Sequence, residues 1–142
     1  MTAPAPAWAI ELLAHARVGR LATVDAAGQP LVVPVCYVYD GERCYSAVDG
    51  KPKRTRNLKR LRNLADNPRV SLAIDHYDED WRALRYVIVQ GRGDVLESGA
   101  EFSRAIDGLV AKYPQYHELR LERPTGAVVR ITPERILSWR FA

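Results

Sequence analysis

The links between candidate strands are short, and this limits the folds open to the chain more than any other feature. An apolar stretch, Arg20–Val24, is followed by Asp25-Ala26-Ala27-Gly28, a run of turn-forming residues, and then by a longer stretch, Leu31–Tyr39. Asp40-Gly41 carries the dipeptide of a two-residue hairpin and leads into Arg43–Val48. Parallel neighbours need a crossover of about a dozen residues or more, so these links predict an antiparallel meander. Arg69–His76, Leu84–Leu96, Gly126–Ile131 and Arg135–Phe141 read as further strands. Gly91 and Gly93 mark a bend or bulge in the second of these, and Thr132-Pro133 separates the last two.

Three helices fit between the strands. Trp8–Arg17 has apolar positions at Ile10, Leu12, Leu13 and Ala16. A second helix starts with Thr55 as N-cap and runs to about Ala65. Its stripe is Leu58, Leu61, Leu64 and Ala65, and Asn67-Pro68 ends it. Ser98-Gly99-Ala100-Glu101 has the pattern of a capping box. The helix it opens buries Phe102, Ile106, Leu109 and Val110 and ends near Tyr113-Pro114. Strands joined this way, with helices at their ends, predict a mostly β (β+α) barrel rather than a βαβ fold. The 142 residues suit one domain, with Met1–Pro6 as a loose Ala/Pro-rich arm.

No apolar run approaches the roughly 20 residues of a membrane-spanning helix, and the first residues lack the basic and apolar regions of a signal peptide. The expected location is cytoplasmic. The hairpin register pairs Cys36 with Tyr45 and Cys44 with Tyr37, which sends the two thiols to opposite faces and predicts no disulfide. His15, His76 and His117 are scattered, and no metal site is expected.

Charge is concentrated. Residues 51–62 hold seven basic side chains (Lys51, Lys53, Arg54, Arg56, Lys59, Arg60, Arg62) and no acid, while the other 130 residues hold 14 basic and 17 acidic ones. Lys and Arg are the side chains that bind phosphate, and a helix start adds free N–H groups. A localised anion site is one reading of this segment. A solvated helix face is another, although such faces mix signs to gain i,i+4 pairs. A nucleic-acid surface is a third, without the interleaved aromatics or motifs that usually accompany one.

The order of these signals resembles a known family. Val32-Val33-Pro34-Val35 on a strand is followed by the Asp40-Gly41 turn and then a basic helix running into Arg62-Asn63-Leu64-Ala65-Asp66-Asn67-Pro68-Arg69-Val70-Ser71-Leu72. This is similar to the flavin-binding split barrels of the pyridoxamine 5′-phosphate oxidase-like superfamily, and most of all to the deazaflavin (coenzyme F-420)-dependent oxidoreductases of actinobacteria. Asp49-Gly50-Lys51-Pro52-Lys53 and Asp75-His76-Tyr77-Asp78-Glu79-Asp80-Trp81 resemble one subgroup of these. The likeness covers residues 10–97 well and the final strands loosely. It implies a six- to seven-stranded antiparallel split β-barrel with short flanking helices, assembled as a homodimer with the cofactor near the interface.

The resemblance also implies a site. The family holds the cofactor phosphate with a basic pair eight to nine residues before the Asn-Pro proline, which here is Lys59 and Arg60. Its second strand meets the ring at positions matching Val33, Pro34 and Val35, and the end of its third strand matches Tyr45 and Ser46. Tyr86 stands where the oxidases often carry Gln, a departure at the position of a hydrogen bond to the ring edge. A longer stretch between Ser46 and the basic pair carries Lys51 and Lys53, two further candidates for the phosphate or for a longer acidic tail. Trp81, Trp139 and Arg140 are candidate contacts to the cofactor of the other subunit. For Pro34, Tyr45, Trp81 and Trp139 the competing reading is plain packing. No nucleophile–base pair is present, but a flavin or deazaflavin carries hydride chemistry itself, and the protein supplies orientation and charge. The implied function is hydride transfer from reduced coenzyme F-420 to a small acceptor. FMN-dependent oxidation and a cofactor-binding role without turnover are the alternatives. Seven basic residues suit the longer, more acidic deazaflavin.

Overall fold

The computed structural model describes residues 4–48, 54–120 and 126–142, with side chains in the second helix from Lys59 onward. The elements run α1 (Ala7–His15), β1 (Gly19–Val24), β2 (Pro30–Val35), β3 (Val38–Tyr39), β4 (Cys44–Ala47), α2 (Arg54–Asp66), β5 (Arg69–His76), a 3-10 turn (Trp81–Ala83), β6 (Arg85–Leu96), α3 (Ala100–Lys112), α4 (Gln115–Glu118) and β7 (Val128–Arg140). Seven described strands make one antiparallel sheet in the order β2-β1-β5-β6-β7-β4-β3, curled into a half-barrel. β2 and β3 are consecutive in the chain yet stand at opposite edges of the sheet.

That separation corrects the expected meander. The stretch Leu31–Tyr39 is two strands, broken at Cys36-Tyr37, and only β1 and β2 pair as expected. The break follows from where Tyr37 goes. Its side chain is fully buried, and its hydroxyl donates to the Leu13 carbonyl of α1. Its backbone N–H donates to the Tyr113 hydroxyl at 3.0 Å, and Lys112 Nζ donates to its carbonyl at 2.9 Å. A strand in a ladder spends those backbone groups on its neighbours; here Lys112 and Tyr113, at the end of α3, take them instead. The Lys112 ammonium also stands 4.0 Å over the Tyr37 ring, and burial lowers its pKa to about 8.

The hairpin register differs as well. Asp40 N–H bonds to the Arg43 carbonyl, and Val38 faces Tyr45, so the turn is centred on Gly41-Glu42, one residue later than Asp40-Gly41. Asp40 Oδ1 accepts from the N–H groups of Glu42 and Arg43, and this local side-chain turn favours the shifted position. Both thiols are free: Cys36 is exposed, and Cys44 is buried with its pKa pushed up to about 12. Thr55 lies inside α2, which begins at Arg54, and Ala65 is exposed rather than part of the buried stripe. The capping box is absent. Gly99 caps α3 with no side-chain bond, and Glu101 turns to Tyr45 and Arg130 instead.

The expected pair of C-terminal strands is a single strand, β7, that carries its irregularity internally. Gln90 faces Arg135 while Gly91 faces Pro133, which leaves Glu134 as the extra residue of a bulge. A Cβ on Gly91 would lie 2.0 Å from the Thr132 carbonyl oxygen. One on Gly93 would lie 2.8 Å from Leu64 and 3.0 Å from Val70, so this glycine is what lets α2 settle on the sheet. The main core fills the curl with Leu13, Leu21, Leu72, Ile74, Val89, Val129 and Ile131 among others. A smaller cluster of Tyr45, Ala105, Ile106, Val110 and Val128 seats α3 on the other side of β4. Substituting Ala for Gly91 should cost on the order of 1–3 kcal/mol, as overpacking against rigid backbone does. Urea unfolding should show a lower midpoint with an unchanged slope.

A candidate cofactor pocket at the seam of the half-barrel

The bend at Cys36-Tyr37 leaves a seam between the two sheet edges, and a pocket of about 220 Å³ lies in it. Pro34, Val35 and Cys36 line it from the β2 side, and Ser46 and Ala47 from β4. Arg60 comes from α2, Leu109 from α3 and Tyr116 from α4. Four residues expected at a cofactor site, Pro34, Val35, Ser46 and Arg60, therefore meet from three distant parts of the chain. β4 is covered on both faces, by the main core at Cys44 and by α3 at Tyr45, so Ser46 is buried with them.

Arg60 reaches the pocket because α2 is held at one angle. Asn63 is buried, and its amide donates to the Thr23 hydroxyl of β1 at 3.1 Å. Leu64 packs where Gly93 leaves room. Arg60 lies one helical turn before these two and shares their inward face, and only 8% of its surface is exposed. Lys59, rotated about 100° from it, is half-exposed and stands 4.0 Å from Asp25 Oδ2 in the β1–β2 turn. The expected basic pair is thus divided, one member in the pocket and one on the surface. Lys51 and Lys53 lie outside the described residues.

The other expected residues are elsewhere. Val33 is in the core. Tyr45 donates its hydroxyl to Glu101 Oε2 at 2.6 Å, away from the pocket. Tyr86 and Trp139 face each other across β6 and β7 and stack with ring centroids 5.7 Å apart. They stand on the outer face of the sheet with Trp81, Tyr77 and Phe141 exposed as well, and Arg140 lies 5.3 Å from the Trp8 ring. None of these lines the pocket. Sequence reasoning missed Leu109, Tyr116 and the structural Asn63. Pro114, expected only to stop α3, also begins the short α4 that carries Tyr116, a role proline suits at a helix start.

A curled antiparallel sheet open along one seam, with a cation, a hydroxyl and an apolar wall facing the gap, has the architecture of a split barrel. A profile of the pyridoxamine 5′-phosphate oxidase family matches residues 9–140, and the chain belongs to that family. It is 33% identical over 124 residues to a 5a,11a-dehydrotetracycline/5a,11a-dehydrooxytetracycline reductase of Streptomyces rimosus, covering 85% of this chain and 72% of the relative. Among solved structures, the conserved hypothetical protein Rv2991 of Mycobacterium tuberculosis superposes with a TM-score of 0.71 at 25% identity, over 97% of this chain and 86% of the other. An F420 reductase superposes with a TM-score of 0.65 at 23% identity, over 94% and 98% of the two chains, a likeness of fold. Among the described residues no helix is long and apolar enough to cross a membrane.

Behind the pocket, a charged clamp fixes α3 to the sheet. Glu101 accepts from the Tyr45 hydroxyl and, at 2.8 Å, from Arg130 Nη1, while Arg130 also pairs with Asp94 of β6. The Tyr45 hydrogen bond, helped by Arg130 and Arg43, holds the Glu101 carboxyl below its ordinary pKa. A depressed carboxyl contributes stability that is present above the unfolded pKa and lost as pH falls through the folded one. Glu101→Gln should therefore lower the melting temperature at pH 7. The gap from the unmodified protein should close as the pH drops below about 4, which melts recorded across that range will test.

Proposed function

We propose that this protein is an oxidoreductase that holds a phosphate-bearing flavin-type cofactor, coenzyme F-420, in the seam pocket and passes a hydride from it to a small-molecule acceptor. The observation that carries this reading is the meeting of Arg60, Ser46, Pro34 and Val35 in one pocket of a family member. A buried guanidinium and a hydroxyl suit a phosphate, and the Pro34-Val35 edge gives a planar ring a flat apolar wall. Family membership and the reductase relative support the redox role. When bound, the cofactor supplies the hydride, and solvent supplies the proton that completes the reduction. The protein's share is to anchor the charged arm, to hold the ring against β2 and to shield it from water.

The pocket of about 220 Å³ is smaller than the roughly 300–1,000 Å³ usual for a whole cofactor, so one chain encloses only part of it. A second copy supplies the remaining wall in this reading. Tyr86, Trp139, Trp81 and Arg140 are exposed away from the pocket and are the side chains a partner would offer; aromatic and Arg residues suit such an interface. Lys51 and Lys53 add charge for the longer deazaflavin arm. The acceptor of the Streptomyces relative is a dehydrotetracycline; the one here is another small molecule or a related one.

Fluorescence titration of the purified protein with coenzyme F-420 and with FMN tests the assignment. Tight binding of the deazaflavin is expected, and preference for FMN would make the protein a flavin oxidoreductase. Binding of either cofactor with no reoxidation by any acceptor would leave a carrier without turnover. Arg60→Gln should weaken binding more than tenfold, while Lys59→Gln, aimed at Asp25, should change it less than threefold. Equal losses from the two would show that they act on phosphate as a pair.

A further inference from the structure

A second cavity, about 440 Å³, lies on the outer face of the sheet and shares no lining residue with the seam pocket. Ala22, Ser71 and Gln90 form its floor, and Arg69 and Arg135 stand over it. Arg92 faces Arg69 directly across β5 and β6, so three arginines from three neighbouring strands share this face. All three are exposed, and none has an ion pair or a side-chain hydrogen bond to a described residue. Glu134, the extra residue of the β7 bulge, is the one acid in the lining.

This arrangement is costly without a ligand. Like charges directly opposite on a sheet repel. Arg20 pairs with Asp75, and Arg130 with Asp94 and Glu101; Arg85 also faces Arg140 across β6 and β7, but here three arginines from three strands share one face beside a cavity. The groove also has neutral donors between the cations, in the Ser71 hydroxyl and the Gln90 amide. The bulge that Gly91 permits puts a step in its floor. Guanidinium forks spaced across three strands match oxyanions spaced along a chain, not a single small ion.

We propose that this groove is an anion site, separate from the seam pocket, for a ligand carrying two or more phosphate or carboxylate groups. Two sources share that chemistry: an anionic substrate or effector that binds by itself, and the acidic arm of a ligand seated in the seam. Along β1, Arg20 lies opposite Pro34 of the seam, and Val24 of the groove is four residues further, about 13 Å at the rise of a strand. An extended arm can cover that distance.

Calorimetric titration of the cofactor-free protein with inorganic pyrophosphate tests the site without reference to the redox assignment. Saturable binding is expected, weakening as salt rises. The double substitution Arg69→Gln/Arg135→Gln should weaken it at least tenfold, with the melting temperature retained because both side chains are exposed. Arg104→Gln/Arg120→Gln, which removes two exposed arginines elsewhere, should change it less than twofold. Equal losses in both doubles, no saturable binding, or a changed oligomeric state with unaltered pyrophosphate affinity would overturn the proposal. Competition identifies the source. Displacement of pyrophosphate by coenzyme F-420 but not by FMN assigns the groove to the acidic arm, and displacement by neither assigns it to an independent anion.

Discussion

The fold depends on the anchoring of Tyr37. The chain leaves β2 at one edge of the sheet and must resume pairing in β3 at the other, and Tyr37 is the residue at which it turns. Its side chain is locked under α1, while Tyr113 and Lys112 at the end of α3 take its backbone groups. The Tyr113 hydroxyl also lies 2.9 Å from the Arg17 carbonyl, so the two helix ends and the bend form one hydrogen-bonded knot. Burying a strand end with unsatisfied N–H and C=O groups costs a few kcal/mol per pair, and this knot removes that cost. It also opens the seam. The residues just before the bend, Pro34 to Cys36, become one wall of the pocket, and β4, reached after the next loop, becomes the other.

The second constraint is the seat of α2, which decides which cation of a very basic helix points inward. Asn63 and Thr23 satisfy each other in a buried position, and Leu64 fills the space that Gly93 lacks a side chain to fill. With these two contacts set, helical geometry fixes Arg60 inward and Lys59 outward. Charge alone has no say in that choice. Seven basic residues in sequence make anion binding plausible, but the inward one is selected by an apolar contact and a polar bond one turn away.

Much of this was legible in the sequence because it rests on local signals. Turn residues, strand alternation, the Asn-Pro stop after α2 and the two glycines of β6 each leave a mark within a few residues, and the resemblance to a known family gave the split barrel. The failures share a cause: each required knowledge of a distant partner. Leu31–Tyr39 reads as one strand unless α3 is known to end against Tyr37. Ser98-Gly99-Ala100-Glu101 reads as a capping box unless Arg130 and Tyr45 are known to compete for Glu101. Glu101 gains two charge-assisted partners by leaving the helix start, more than a cap offers it. Tyr45 and Ser46 read as site residues together, but Glu101 and the α3 cluster hold the Tyr45 side chain elsewhere, and of the two only Ser46 lines the pocket.

The same reasoning applies to charge. Counting along the chain locates one basic segment, because proximity in sequence is all a count can detect. A sheet creates a second kind of proximity through register. Arg69, Arg92 and Arg135 are each unremarked in their own strands, separated by more than twenty residues at every step, and they are brought to one face by antiparallel pairing across β5, β6 and β7. A bulge between Gln90 and Gly91 shifts that pairing by one residue on the β7 side, which sets Arg135 opposite Gln90 and leaves Glu134 beside the groove. Without the bulge, alternation would turn the residues on one side of it to the other face of the sheet. Gly91 is therefore a condition both of a continuous β7 and of the arginine cluster, a link between backbone geometry and surface charge that no inspection of the arginines alone would reveal.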